Sequence, residues 1–281
     1  MRLSRKSVAL STLSLALLLG GCGTLTHPQF GVADIPSRGL AADLLAYWNF
    51  NATARDGTVP DRSGHGFNLT LFNGASLAPG GILGRALRLD NPAGAFTPSS
   101  SQQYAGRTVN DTAFDLLGTP FSIQVWVNFA DPAGADPGGR EQTLIEKFFG
   151  TGGPGWTLTT PPFAGGLQYY DNGFALNAAA SYGTGIWHQV VAVGTGTTLT
   201  LYKDGSAIAT IPAPVNFPPA SPLPLLIGRR NAFDPRSFPV NGLMDEIAVW
   251  TRALSATEVS TLFNGGQGRP VTPAEPSSSG D

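Results

Sequence analysis

The chain has 281 residues, of which 42% are hydrophobic and 13% charged, with 36 Gly, 23 Pro and a single Cys. One Cys excludes a disulfide framework and any Cys-based metal centre, while the length is enough to bury a core without either. The formal net charge of −2 offers no basic surface for phosphate backbones, which excludes nucleic acid as a partner.

The first element is a leader. Arg2, Arg5 and Lys6 precede an apolar run from Val8 to Leu19, and Gly20 and Gly21 then bring in Cys22. A basic start, a short apolar stretch and small residues at the cut site describe a signal peptide, and the run is short for a membrane span. Leu19-Gly20-Gly21-Cys22 resembles the lipobox of bacterial lipoproteins. The resemblance implies a signal peptide over 1–21 and a lipid-modified Cys22 at the mature N-terminus. It also implies a membrane partner through that anchor and a cell-envelope location, the outer membrane if the source is Gram-negative. Without the leader, 14 Lys+Arg face 19 Asp+Glu, a net charge of −5.

Residues 22–40 read as anchor and flexible linker, because Pro and small residues dominate with no periodicity. The strands follow within 41–267. The candidates are Leu44–Phe50, Phe67–Phe72, Ala86–Leu89, Phe121–Phe129, Thr143–Phe148, Trp156–Thr159, Gly166–Tyr170, Phe174–Asn177, Trp187–Val193, Thr197–Tyr202, Ala207–Ile211, Leu223–Ile227 and Leu243–Trp250. The alternation is cleanest in Phe121–Phe129. Phe121, Ile123, Val125, Val127 and Phe129 share one face, while Ser122, Gln124, Trp126 and Asn128 share the other. Lys203-Asp204-Gly205 predicts a tight hairpin, since Asp-Gly supplies the positive φ angles of a primed turn. Ser255-Ala256-Thr257-Glu258 is a capping box, and Val259, Leu262 and Phe263 follow at helical spacing up to Asn264-Gly265. Residues 268–281 are Pro/Ser-rich and read as a disordered tail.

Three blocks of this domain resemble the laminin-G-like members of the concanavalin A-like lectin/glucanase superfamily. They are Tyr47-Trp48-Asn49-Phe50 with Asp61-Arg62-Ser63-Gly64-His65-Gly66, Phe121–Val127 with Trp187–Val191 and Leu201–Gly205, and Gly242–Trp250 with Arg252-Ala253-Leu254-Ser255. The resemblance implies an all-β, two-sheet antiparallel β-sandwich (a jelly roll), often with one concave sheet, and here with one short C-terminal surface helix. It also suggests a structural Ca²⁺ held by Asp61 with Asp245 or Glu246. A hard cation wants several oxygens, but Asp61 is equally able to cap its own turn.

Catalysis finds little support. A glycosidase needs two carboxylates facing one sugar bond. Asp245 and Glu246 are adjacent, and Glu141 and Glu146 are an odd number of residues apart, so a regular strand points each pair to opposite faces. His27, His65 and His188 are scattered, and no nucleophile elbow or phosphate-cradling loop is present. Sugar binding asks for aromatic faces beside amides and charged donors. Trp126 with Gln124 and Asn128 offers these, as do Tyr170 and the pair Arg229 and Arg230, although a strand aromatic is more often core. The expectation is a non-catalytic envelope lipoprotein that binds a glycan or an envelope or extracellular protein. The alternatives are a glycan hydrolase or lyase on the same fold and a purely structural lipoprotein.

Overall fold

The computed structural model describes residues 39–92, 99–116, 119–150, 153–171, 174–212, 220–231 and 238–272. The leader, Cys22 and most of the linker lie outside them, as does the tail beyond Thr272. No helix among the described residues is long and apolar enough to cross a membrane.

In chain order the strands are β1 (Leu44–Trp48), β2 (Thr70–Phe72), β3 (Ser76–Gly81), β4 (Gly84–Leu89), β5 (Tyr104–Gly106), β6 (Phe121–Phe129), β7 (Thr143–Phe148) and β8 (Gly155–Thr159). They continue with β9 (Gly166–Asp171), β10 (Phe174–Ala179), β11 (Trp187–Gly194), β12 (Thr198–Lys203), β13 (Ser206–Pro212), β14 (Leu226–Ile227) and β15 (Gly242–Trp250), and the helix α1 covers Ala256–Phe263. An eight-stranded sheet runs β13-β12-β11-β6-β15-β4-β3, with β1 also paired to β15, and a seven-stranded sheet runs β10-β9-β8-β7-β14-β5-β2. All of these pairings are antiparallel. The two-sheet antiparallel sandwich is therefore the architecture of this chain.

The core lies between the sheets. Phe121, Ile123, Val125, Val127 and Phe129 all turn into it, as the alternation of β6 requires. Trp156, Leu158 and Tyr169 meet them from the seven-stranded sheet. The sequence reading missed β3 and β5. Ser-Leu-Ala-Pro-Gly-Gly carries strand breakers, and three residues are too few to show a period. Asp204 and Gly205 have φ of 51° and 76°, the primed turn that Asp-Gly favours. Ser255 and Glu258 form the reciprocal capping box, and Asn264 ends α1 in the left-handed region.

The outer face of the eight-stranded sheet is also covered. Val259 and Leu262 of α1, together with Leu40 and Val271, pack on Tyr47, Val191, Tyr202, Ala248 and Trp250. Leu40 and Val271 thus take part in this packing. Trp250 Nε1 donates to the Leu40 carbonyl, and Val271 is buried. The reason is that this face of β15 and β11 is apolar and must be kept from water.

Candidate functional site

The six residues proposed for ligand contact fall on two different sheets. Gln124 and Trp126 face outward from β6, but both are fully buried beneath α1. Trp126 stacks on Phe263 at 5.8 Å. Gln124 accepts from Gln189 Nε2 and donates to the Glu246 carbonyl. They are corrected from ligand platform to packing, because the capped helix takes the place a ligand would need. Asn128, half-buried at the end of β6, pairs with Trp187 and Leu243 on that same sheet.

Tyr170, Arg229 and Arg230 belong to the other sheet. Register places Glu146, Thr157, Tyr170 and Ala175 in one row across β7, β8, β9 and β10. Their neighbours Ile145, Leu158 and Tyr169 point to the core, so this row lies on the outer face. Tyr170 is half-buried, with its ring edge-on to Phe148 at 5.4 Å. Beside it, Gln168 Nε2 donates to Asn177 Oδ1 at 2.8 Å. Farther along the sheet, Phe72 and Tyr104 stack at 4.4 Å, and the Arg229 guanidinium lies 4.4 Å over the Tyr104 ring. Tyr104 sits in the strand too short to read from sequence.

Between these two aromatic groups the face is closed. The chain leaving β14 lays Arg230 and Asn231 over it. Arg230 Nη2 reaches Glu141 Oε1 at 2.7 Å, and its Nε lies 3.8 Å from Glu146 Oε2. The Asn231 backbone N–H donates to Glu146 Oε1 at 2.7 Å. Arg229 and Arg230 are thus mostly buried, and they engage a ring and buried carboxylates. Burial pushes the Glu146 carboxyl up to about 8, against the Arg230 charge and the Asn231 bond, which lower it.

Glu141 and Glu146 share this face despite their odd spacing. Glu141 precedes β7, and β7 shifts register between Thr143 and Ile145, so the strict alternation assumed from sequence fails. The same holds for Asp245 and Glu246. Glu246 has φ of 47° within a register shift of β15, and core residues Met244 and Ile247 flank the pair. Both acids are therefore turned to the outer side. Asp245 accepts from the backbone N–H groups of Leu83 and Glu246, and Glu246 accepts from the Tyr47 hydroxyl.

The calcium expectation fails on donors. Asp61 Oδ1 accepts from the backbone N–H groups of Tyr47 and Ser63. Its Oδ2 accepts from the Ser63 hydroxyl and the Phe67 N–H. A carboxylate has about four lone-pair sites, and all are used. Glu246 holds the hydroxyl end of Tyr47, whose backbone N–H is what Asp61 holds, and Asp245 is taken by the Leu83 and Glu246 N–H groups. These residues do not fit a shared cation, and the turn-capping alternative describes Asp61. No group of three or more His, Cys, Asp or Glu that could hold a metal occurs among the described residues.

A family model described as the concanavalin A-like lectin/glucanases superfamily (Laminin_G_3) matches residues 101–260. No curated protein matches the chain. Among solved structures, it is similar to the binding domain of botulinum neurotoxin DC in complex with rat synaptotagmin II, at 14% identity and TM-score 0.57, covering 80% of this chain and 52% of that one. The same toxin domain in complex with SialylT matches at 13% identity and TM-score 0.57, covering 80% and 52%. Domain 4 of AbnA, a GH43 extracellular arabinanase from Geobacillus stearothermophilus, in complex with arabinotriose, matches at 18% identity and TM-score 0.55, covering 78% of this chain and 97% of that one. The chain spans about half the length of the toxin binding domains and nearly all of the arabinanase domain. At these identities the likeness is one of fold.

Proposed function

Since the chain belongs to the concanavalin A-like lectin/glucanases superfamily through its Laminin_G_3 domain, we propose that it is a non-catalytic glycan-binding module carried on a lipid anchor at Cys22. One observation carries the reading: Tyr170 stands half-exposed on the outer face of the seven-stranded sheet, held by Phe148 and flanked by the Gln168–Asn177 amide pair. An aromatic ring takes the apolar C–H face of a sugar, and adjacent amides take its hydroxyls. The fixed ring loses little rotamer freedom when it binds. The likeness to an arabinanase domain that holds arabinotriose supports the choice of a saccharide.

Hydrolysis is disfavoured by geometry. Among the described residues Glu141 and Glu146 are the acids of this face, and both are buried and engaged by Arg230, with Asn231 also bound to Glu146. No sugar bond fits between carboxylates already bridged by a guanidinium.

The test is titration calorimetry of the chain and of Tyr170→Ala against arabinan- and other plant-, host- or envelope-derived oligosaccharides. Binding that Tyr170→Ala abolishes without lowering thermal stability supports the reading; binding that survives the substitution refutes this site. The anchor is tested separately. Labelled palmitate should enter the wild-type chain in a bacterial host and be absent from Cys22→Ala.

A further inference from the structure

The main paths of the two sheets end in β13, β3, β10 and β2, and these ends are not equally protected. An open edge presents unpaired N–H and C=O groups, and folded proteins blunt it with proline, bulges, short strands or cover. β13 ends in Pro212 and shifts register opposite Leu201 and Tyr202. β3 contains Pro79 and is irregular at Gly81. β2 has three residues. β1, paired on one side only, is covered by the Asp61 turn: its Tyr47 N–H bonds Asp61, and its Tyr47 carbonyl takes the Arg62 N–H.

Among the described residues β10 has no proline, bulge or charge on its edge, although it packs against β12 and β13 of the other sheet. Phe-Ala-Leu-Asn-Ala-Ala runs for six residues with no charge and no proline, in unbroken register with β9. Ala180 donates back to Gly165. Because backbone direction alternates, Ala175, Asn177 and Ala179 turn their N–H and C=O groups away from the sheet. Those three residues are the exposed ones, and two have side chains too small to obstruct a neighbour.

We propose that β10 is a self-association edge, on which a second copy of this chain adds its own β10 antiparallel about a twofold axis through Asn177. Directly opposed residues must share a face, so Asn177 meets Asn177 and Ala175 meets Ala179 of the other copy. Each opposed pair exchanges two backbone hydrogen bonds, about six in all. The sequence is self-complementary: alanines meet alanines, no like charges approach, and the Asn177 amide nitrogen is free to donate because its oxygen already accepts from Gln168. A second feature points the same way. Phe163, 80% exposed, is the most exposed large apolar side chain among the described residues. It lies in the turn Pro162–Ala164 beside the Ala178–Ala179 end of β10. In the antiparallel pair that end meets the half-buried Phe174 of the other copy, which gives Phe163 an apolar neighbour. The two seven-stranded sheets would then run on as one, placing two Tyr170 faces side by side.

The test is sedimentation equilibrium of the full chain, in detergent where the anchor is present, at concentrations up to about 1 mM. It includes Asn177→Pro, which deletes an outward N–H and no ladder bond, losing besides only the exposed Gln168–Asn177 side-chain bond, and Ala179→Lys, which sets a long charged side chain opposite Ala175 of the other copy. A concentration-dependent dimer that both variants weaken about tenfold or more supports the proposal, provided their melting in dilute solution is unchanged. Amides of Ala175, Asn177 and Ala179 should also exchange more slowly as wild-type concentration rises. A strictly monomeric wild type overturns the proposal. So does a dimer that neither variant weakens, or one that Thr210→Lys on β13 dissociates instead.

Discussion

The rings of Trp126 and Phe263 lie stacked, 5.8 Å between centroids and 10° from parallel, and this contact fixes α1 to the outer face of the eight-stranded sheet. Trp126→Ala is expected to cost about 3–5 kcal/mol, as for other buried large-to-small changes. Trp126→Phe keeps a stack and removes an indole N–H that bonds nothing among the described residues, so its cost should be near 1–2 kcal/mol. Urea midpoints measure both. Glycan affinity of the folded fraction should not change; a folded Trp126→Phe that no longer binds would move the site to this face.

Stability should fall on the alkaline side of about pH 5. Burial raises Glu146 to about 8 and Glu246 to about 7. Burial, with the neighbouring Glu246 charge, raises Asp245 to about 8. Unfolded carboxyls titrate near 4, so between about pH 4 and 8 the folded chain holds protons that the unfolded chain has released. That contribution is complete below about pH 4 and is lost as pH rises through 7–8. Asp204 acts oppositely. Its burial is outweighed by bonds from His188 and Lys203, its pKa is lowered, and its contribution disappears as pH falls. Denaturant midpoints across about pH 3–9 should form a dome. Glu246→Gln should flatten the alkaline limb, and a midpoint that climbs steadily to pH 8 would contradict the burial of these acids.

Asp61→Ala should lose about 2–4 kcal/mol, because it strands the Tyr47, Ser63 and Phe67 N–H groups. Chelator and added calcium should leave the wild-type melting temperature unchanged. A calcium-dependent rise would show a bound ion through its mass-action stabilisation.

Lys147 is fully buried, and its ammonium donates to Asp115, Asn110 and the Ser221 carbonyl. Lys147→Met removes one partner of a buried pair and should cost about 3–5 kcal/mol. Replacing Asp115 by Leu in the Lys147→Met background should recover part of that loss. A double variant no more stable than the single one would assign the loss to packing.

Much of the fold was legible because it is local. Phe121–Phe129 alternates cleanly, Asp204-Gly205 permits few turns, and Ser255 with Glu258 announces a helix start; each signal needs only its own neighbours. Those signals also carried the family resemblance. The candidate site was legible only in part. Tyr170 was named, but Tyr104 sits in a strand of three residues, and Trp126 and Gln124 looked available until α1 was seen to lie on them.

By itself, then, the sequence determined the longer strands, the apolar face of those that alternate, and where the helix begins, because periods of 2 and 3.6 and capping bonds act within a few residues. Tertiary structure alone decided which polar side chains are covered. It placed Glu141 beside Glu146, and Asp245 beside Glu246, through register shifts that break the parity a regular strand would keep. A bulge is set by pairing with a partner strand far away in the chain, so no count of residues along one strand reveals it.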